Sequence, residues 1–227
     1  GIGKEIFKEI YTNGDKFFLF YNKKKIISNK KNVFSFKVDF KNLNQLEKTI
    51  KKIFTKIKNF DCIINCAGNA NPYKEFFNIS TNEIKDNIDI NLISHLIILR
   101  ENIKKNIKNN KSLTIVNLSS NTISFNGSQK NIPYLCSKTA MEAAIKNLSK
   151  YYSKFKIRIN NIRPGVINSG MTKNLKGYDK KRFKKRIGLI PGKKPGSPTD
   201  VASLVKFLLS DKSKFIYGQT ISISGGE

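Results

Sequence analysis

Val116-Asn117-Leu118-Ser119-Ser120, followed by a polar loop and then Tyr134-Leu135-Cys136-Ser137-Lys138, is the stretch on which the reading of this chain turns. The apolar run Leu113, Ile115, Val116 and Leu118 predicts a buried strand ending on two hydroxyls, and the segment from Pro133 onward predicts a helix. Tyr134 and Lys138 then stand one above the other on a single helical face. A phenol has a reference pKa of about 10, and a cation held nearby brings its proton within working range at neutral pH. A serine delivered by the strand end can hydrogen-bond the same substrate oxygen. The set reads as a proton donor and an oxygen-polarising group for carbonyl/alcohol interconversion. Tyr-x-x-x-Lys alone arises often in a lysine-rich chain, so its weight depends on the remaining sequence.

Working outward, 227 residues with 39% hydrophobic content are enough for one sizeable core, and one domain is expected. Cys62, Cys66 and Cys136 form neither an even disulfide set nor a Cys-x-x-Cys pair, and His95 is the single histidine. A reducing cytoplasm and no structural metal are the expectation. No apolar run approaches a membrane-spanning length and no signal pattern opens the chain. The formal charge of +27 invites a nucleic-acid reading. The lysines are nevertheless scattered along the whole chain among asparagine and isoleucine, a pattern of coding bias more than of a binding face. A basic surface still steers acidic substrates, carrier proteins or phosphorylated cofactors.

The chain opens on Gly1-Ile2-Gly3, directly before a helical pattern of Ile6, Phe7 and Ile10 that Asn13-Gly14 stops. Glycines at a helix start let backbone amides approach a pyrophosphate. Short apolar strands are expected at Lys16 to Tyr21 and Val33 to Val38, the crossover between them being short or absent. Leu43 to Phe60 predicts an amphipathic helix, and Asp61 to Asn65 a buried strand running into Asn65-Cys66-Ala67-Gly68. A long helix is expected from about Ser80 to Asn109. On it Asn91, set among isoleucine and leucine, needs buried hydrogen-bond partners, and His95 reads as structural or surface. Ile157 to Ile162 is a strand broken by Arg163-Pro164-Gly165, Met171 to Pro195 a mobile, highly charged helical flap, Ser197 to Leu209 a helix, and Tyr217 to Ser224 a last strand.

Strands alternating with helices predict a Rossmann-like, doubly wound parallel sheet of the α/β class. With Gly1-Ile2-Gly3, Asn65-Cys66-Ala67-Gly68, Asn91, Ser120, Tyr134-x-x-x-Lys138 and Pro164-Gly165 in this order, the chain resembles the short-chain dehydrogenase/reductases over its whole length. Within that family Leu189-Ile190-Pro191, Tyr217-Gly218-Gln219-Thr220 and Gly225-Gly226 are similar to the 3-oxoacyl-[acyl-carrier-protein] reductases. The resemblance implies Tyr134 as general acid, Lys138 as the group that depresses its pKa and bonds the nicotinamide ribose, and Ser120 as the carbonyl-polarising group in preference to Ser119. It implies Asn91 as holder of a relay water behind Lys138. It places Gly1, Ile2 and Gly3 at the pyrophosphate, Asp39 and Phe40 at the adenine, and Asn65, Ala67 and Gly68 on the ribose side. Pro164 and Gly165 lead to Ile167 and Ser169 at the carboxamide. Asn22 and Lys23, with Lys24 and Lys25, stand where an acidic residue would select NAD(H), which favours NADP(H) with NAD(H) as the alternative.

Compared with the family, the first strand and the opening of the glycine turn are missing ahead of Gly1, so the expectation is an N-terminally truncated domain with unpaired neighbouring strands and impaired cofactor binding. The expected partners are a small or carrier-bound acyl substrate, an acidic acyl carrier protein steered by Lys111, Lys173 and the flap, and further copies in a homotetramer or homodimer. The competing readings are a sugar or secondary-alcohol oxidoreductase of surface-polysaccharide synthesis and a non-catalytic basic binding protein of the same fold.

Overall fold

The computed structural model describes residues 1–23, 30–70, 72–170 and 180–227. Helix α1 (Ile2–Ile10) leads to β1 (Phe17–Tyr21), β2 (Val33–Lys37), α2 (Leu43–Phe54) and β3 (Cys62–Asn65). Helix α3 (Thr81–Ile88), a π-helical turn at Asp89–Ile93 and α4 (Ser94–Lys108) precede β4 (Leu113–Leu118). Then come α5 (Ile132–Tyr152), β5 (Ile157–Pro164), α6 (Lys180–Leu189), α7 (Pro198–Leu209) and β6 (Thr220–Ile223).

All the strand pairs are parallel, as the alternation of strand and helix requires. The order β3-β4-β5-β6 forms one sheet, and β1-β2 forms a second. Among the described residues no backbone hydrogen bond joins β1 to β3, so each keeps one unpaired edge. The residues between β1 and β2 are described only at Asn22, Lys23 and 30–32, and the crossover expected there lies largely outside the described residues.

Alternate residues of the strands feed two cores, which is why the central strands read as continuous apolar runs. Ile63, Ile115, Ile157 and Ile159 meet α2, α4 and α5 through Leu46, Ile50, Leu99, Ile103, Met141 and Ile145. Phe20, Phe36 and Phe40 pack on this same cluster, so the two sheets share a core although they share no ladder. On the opposite face Val116, Leu118 and Ile162 meet Ile6 of α1 and Val201, Val205 and Leu208 of α7.

Four boundaries differ from the periodicity, the first being the last strand, expected over Tyr217 to Ser224 and confined to Thr220–Ile223. Helix α2 ends at Phe54, with Lys56 and Ile57 closing onto the Ile53 carbonyl, because Phe60 must turn back to meet the rings of Phe54 and Phe18. The long helix predicted from Ser80 is interrupted at Asp89–Ile93, where the Ser94 amide bonds the Asp89 carbonyl. Strand β5 runs through Pro164, which still has a partner in Ile223 and is the last residue of its ladder.

Candidate active site

Strands β3, β4 and β5 deliver Asn65, Ser119–Ser120 and Pro164–Gly165 to the same carboxyl-terminal edge, where open α/β sheets place their ligands. Helix α5 passes alongside and presents Tyr134 and Lys138, 8% and 5% exposed, from one buried face. Lys138 Nζ donates to the Leu118 carbonyl at 2.8 Å and stands 5.8 Å from the centre of the Tyr134 ring. The Ser120 hydroxyl lies beside the phenol and favours its ionised form; its oxygen accepts from the Thr122 amide at 3.3 Å and lies 2.9 Å from the Thr122 hydroxyl, which leaves its single proton for the phenol side. The structure therefore brings Ser120, Tyr134 and Lys138 together as the spacing predicts.

The electrostatics differ from the expectation in one respect. Burial holds the Tyr134 phenol above its ordinary pKa, and the groups that pull it down are the Ser120 hydroxyl and the Arg186 guanidinium. Lys138 is committed to the Leu118 carbonyl, and burial pushes its own pKa down to about 8 against the opposing pull of Cys66 and Glu142. Glu142, one turn beyond Lys138, is gripped by Arg163 through two bonds of 2.8 and 2.6 Å, while Arg163 Nη1 donates to Ser124 Oγ at 3.1 Å. Arg163 thus joins β5, α5 and the loop after Ser120.

Asn91 is fully buried on the π-helical turn. Its amide accepts from the Asn69 backbone N–H at 2.8 Å and donates to the Asn69 carbonyl at 2.8 Å and to Asn87 Oδ1 at 2.6 Å. Its side chain therefore holds the chain just past Gly68. One helical turn on, His95 is also buried, its Nε2 2.9 Å from the Ala67 carbonyl, and burial followed by the Lys138 charge pushes the imidazole down to about 4. A structural place for His95 was among the sequence readings, and a surface one is excluded.

The cofactor-side candidates are distributed as follows. Gly1 caps α1, and a Cβ on Gly3 would meet Cys66 Sγ at 3.4 Å, so α1 begins against the loop after β3. Asn22 and Lys23 are exposed at the end of β1, and Asn22 Nδ2 donates to Asp39 Oδ1 at 3.3 Å. Phe40 meets the edge of the His95 ring. A Cβ on Gly165 would lie 2.7 Å from Ser224 Cα, so only glycine fits there. The Ile167 side chain faces the apolar core, its backbone bridging Gly196, whereas Ser169 is buried beside it. Lys24, Lys25 and Lys173 lie outside the described residues, as does 171–179 of the flap. The part from Lys180 is helical.

Two buried polar atoms at the strand ends, Asn65 Nδ2 and Ser119 Oγ, have no partner among the described residues. Unsatisfied buried donors at this edge fit a polar ligand with hydroxyl and amide groups, as a dinucleotide is. Sequence reasoning missed Arg186. Its Nε and Nη2 both donate to Glu227 Oε1, at 3.0 and 2.5 Å, and its guanidinium stacks 5.4 Å from the Phe125 ring. The basic run of the flap was visible, but not which of its members turns toward the phenol.

A family model described as Enoyl-(Acyl carrier protein) reductase matches residues 1–227. This chain belongs to the short-chain dehydrogenase/reductases. Among curated relatives, the 3-oxoacyl-[acyl-carrier-protein] reductase FabG of Buchnera aphidicola subsp. Schizaphis graminum is 32% identical over 197 residues, covering 87% of this chain and 78% of the relative. That of Aquifex aeolicus is 28% identical over 202 residues, 88% of this chain and 79% of the relative. Among solved structures, the Thermoplasma acidophilum aldohexose dehydrogenase superposes with a TM-score of 0.85 at 26% identity, covering all of this chain and 89% of that one. A mutant 4-hydroxyisoleucine dehydrogenase complexed with NADH and succinate reaches 0.90 at 25% identity, covering 100% of this chain and 93% of that chain. The short-chain dehydrogenase/reductase so described is an oxidoreductase of Rossmann-like fold, and membership implies a nicotinamide cofactor. Among the described residues no helix is long and apolar enough to cross a membrane, and no cluster of His, Cys, Asp and Glu has a metal-binding arrangement.

Proposed function

We propose that this chain is a cytoplasmic, single-domain NADP(H)-dependent reductase that turns the ketone of a 3-oxoacyl thioester, carried on acyl carrier protein, into a secondary alcohol. The observation that carries the reading is the convergence of the Ser120 hydroxyl and the buried Tyr134 phenol at the carboxyl end of the sheet, with Lys138 behind them. The FabG relatives support the substrate class.

A bound nicotinamide supplies the hydride in this chemistry. Ser120 donates a hydrogen bond to the carbonyl oxygen, and Tyr134 protonates the oxygen as charge develops on it. Lys138 is the cation at the phenol's flank, held by the Leu118 carbonyl, and its remaining N–H groups would bond a ribose hydroxyl. Asn91 fixes the loop past Gly68 through Asn69. Gly1, Ile2 and Gly3 would hold the pyrophosphate at the start of α1, where amides and the helix dipole favour anions. Asn65, Ala67 and Gly68 would take the ribose side, Asp39 and Phe40 the adenine, and Pro164, Gly165, Ile167 and Ser169 the nicotinamide end. Asn22 and Lys23 favour a 2′-phosphate, because no carboxylate follows β1 to repel it. Lys111 and the exposed Lys184 and Lys185 of α6 suit an acidic carrier. An apolar groove between α4 and α5, lined by Ile93, Leu96, Ile103, Ile107, Leu148 and Tyr152, suits a second copy.

The deciding experiment follows NADPH and NADH oxidation with acetoacetyl thioesters, free and carrier-bound. Oxidation of NADPH with carrier-bound thioester preferred at low salt supports the reading; no thioester turnover removes it. The likeness to an aldohexose dehydrogenase supports a second reading, a sugar or secondary-alcohol oxidoreductase. Turnover of aldoses in a substrate panel, without thioester turnover, selects it.

A further inference from the structure

We infer that His95 is a positioning residue for nucleotide binding, a buried imidazole that sets the path of the loop after β3 by holding the Ala67 carbonyl. Ala67 is exposed at the mouth of the site, whereas the ring that touches its backbone is 2% exposed. The contact at 2.9 Å spans from α4 to the segment between Asn65 and Gly68. A carbonyl accepts, so the ring must carry its proton on Nε2, and Nδ1 keeps a lone pair. That Nδ1 is buried without a partner among the described residues. The imidazole is therefore kept in one tautomer by a single bond, at the cost of an unsatisfied acceptor, which a residue serving only to fill volume would not require.

The surroundings fix the ring. Phe40 meets it edge-on at 5.7 Å, and burial, helped by the charge of Lys138, favours the neutral ring. Asn91, one turn earlier on the same face, holds both backbone groups of Asn69. His95 and Asn91 thus fasten positions 67 and 69 to one rigid helix face, with Gly68 between them. A leucine at 95 would fill the volume and leave the Ala67 carbonyl free to rotate. A glutamine would return an N–H at the same reach as Nε2.

The inference rests on the reading that residues 65–68 touch the cofactor, and the test separates the two. NADPH binding is measured by quenching of its fluorescence on the whole chain for wild type, His95→Leu, His95→Gln and Gly68→Val, with thermal melts and amide hydrogen exchange at 66–69. The expected result is an NADPH Kd about tenfold higher for His95→Leu and within about twofold of wild type for His95→Gln. Exchange at 66–69 is faster in the leucine variant only, and the KM for NADPH rises while kcat changes less than about twofold. A leucine variant with unchanged Kd, while Gly68→Val binds weakly, overturns the role of His95 alone. Equal loss in the leucine and glutamine variants with equally lowered melting overturns it in favour of packing. Gly68→Val that melts and binds like wild type overturns the loop reading itself.

Discussion

Arg163 grips Glu142 with two parallel hydrogen bonds of 2.8 and 2.6 Å, tying the end of β5 to the helix that carries Tyr134 and Lys138. The Glu142 side chain is 6% exposed and that of Arg163 23%. Removing one partner leaves a largely buried charge uncompensated, a loss of about 3 kcal/mol or more. Urea unfolding of Glu142→Ala is expected to register a loss of that order, and the double variant Glu142→Ala/Arg163→Met to recover part of it. A loss below about 1 kcal/mol in the single variant means that the pair is no more than a surface ion pair.

Tyr134→Phe removes the acid and little else from the packing. Turnover is expected to fall by a factor of about 10² to 10⁴, the usual contribution of general acid catalysis, with NADPH affinity nearly unchanged. Retained turnover in steady-state assays removes Tyr134 as the proton donor.

Lys138 gives stability a definite pH dependence. Its folded pKa, about 8, lies below the ordinary value of 10.5, so between the two the unfolded chain binds more protons and the Lys138 contribution to stability rises with pH. Wild type minus Lys138→Met, compared by urea unfolding near pH 7.5 and pH 10, isolates this term from the many other lysines. The difference is expected to favour wild type more at the higher pH; a flat or reversed difference contradicts the burial argument.

Arg186 lowers the pKa of Tyr134, opposing the effect of burial. Arg186→Gln is expected to move the apparent pKa of the acid upward in the kcat–pH profile. An unmoved profile in Arg186→Gln shows that solvent screens the guanidinium from the phenol.

Gly165→Ala places a Cβ 2.7 Å from Ser224 Cα and 2.8 Å from Ser224 Cβ. Overpacking of this kind costs about 1–3 kcal/mol, and thermal melts should fall accordingly. An unchanged melt would mean that the Ser224 backbone yields freely.

The meeting of Ser120, Tyr134 and Lys138 was legible because each rests on local rules: a strand end, a helix start and a four-residue repeat. The alternation of strands with helices likewise gave the parallel sheet, whereas the division of the expected single core between the two faces of the sheet emerged only in the fold. What the sequence hid depends on contacts between distant positions. Glu142 with Arg163 and Arg186 with Glu227 are two ordinary charge pairs among 43 basic residues, with nothing local to single them out. Phe60 ended α2 early through rings at Phe18 and Phe54, which no helical periodicity contains. The same periodicity continues across 80–109 and conceals the wider turn within it. For His95, burial was one of the sequence alternatives, but its carbonyl partner lies 28 residues earlier and only the folded chain supplies it.

That wider turn at Asp89–Ile93 has a consequence for how this helix tolerates change in length. Such a turn holds one residue more than an α-helical turn, so a one-residue deletion there would restore a regular α-helix and remove the bulge on which Asn91 sits. Asn91 and His95 could then no longer face the same loop as α3 packs where it does now. Deletion scanning across this rod should therefore find its intolerant positions at the turn.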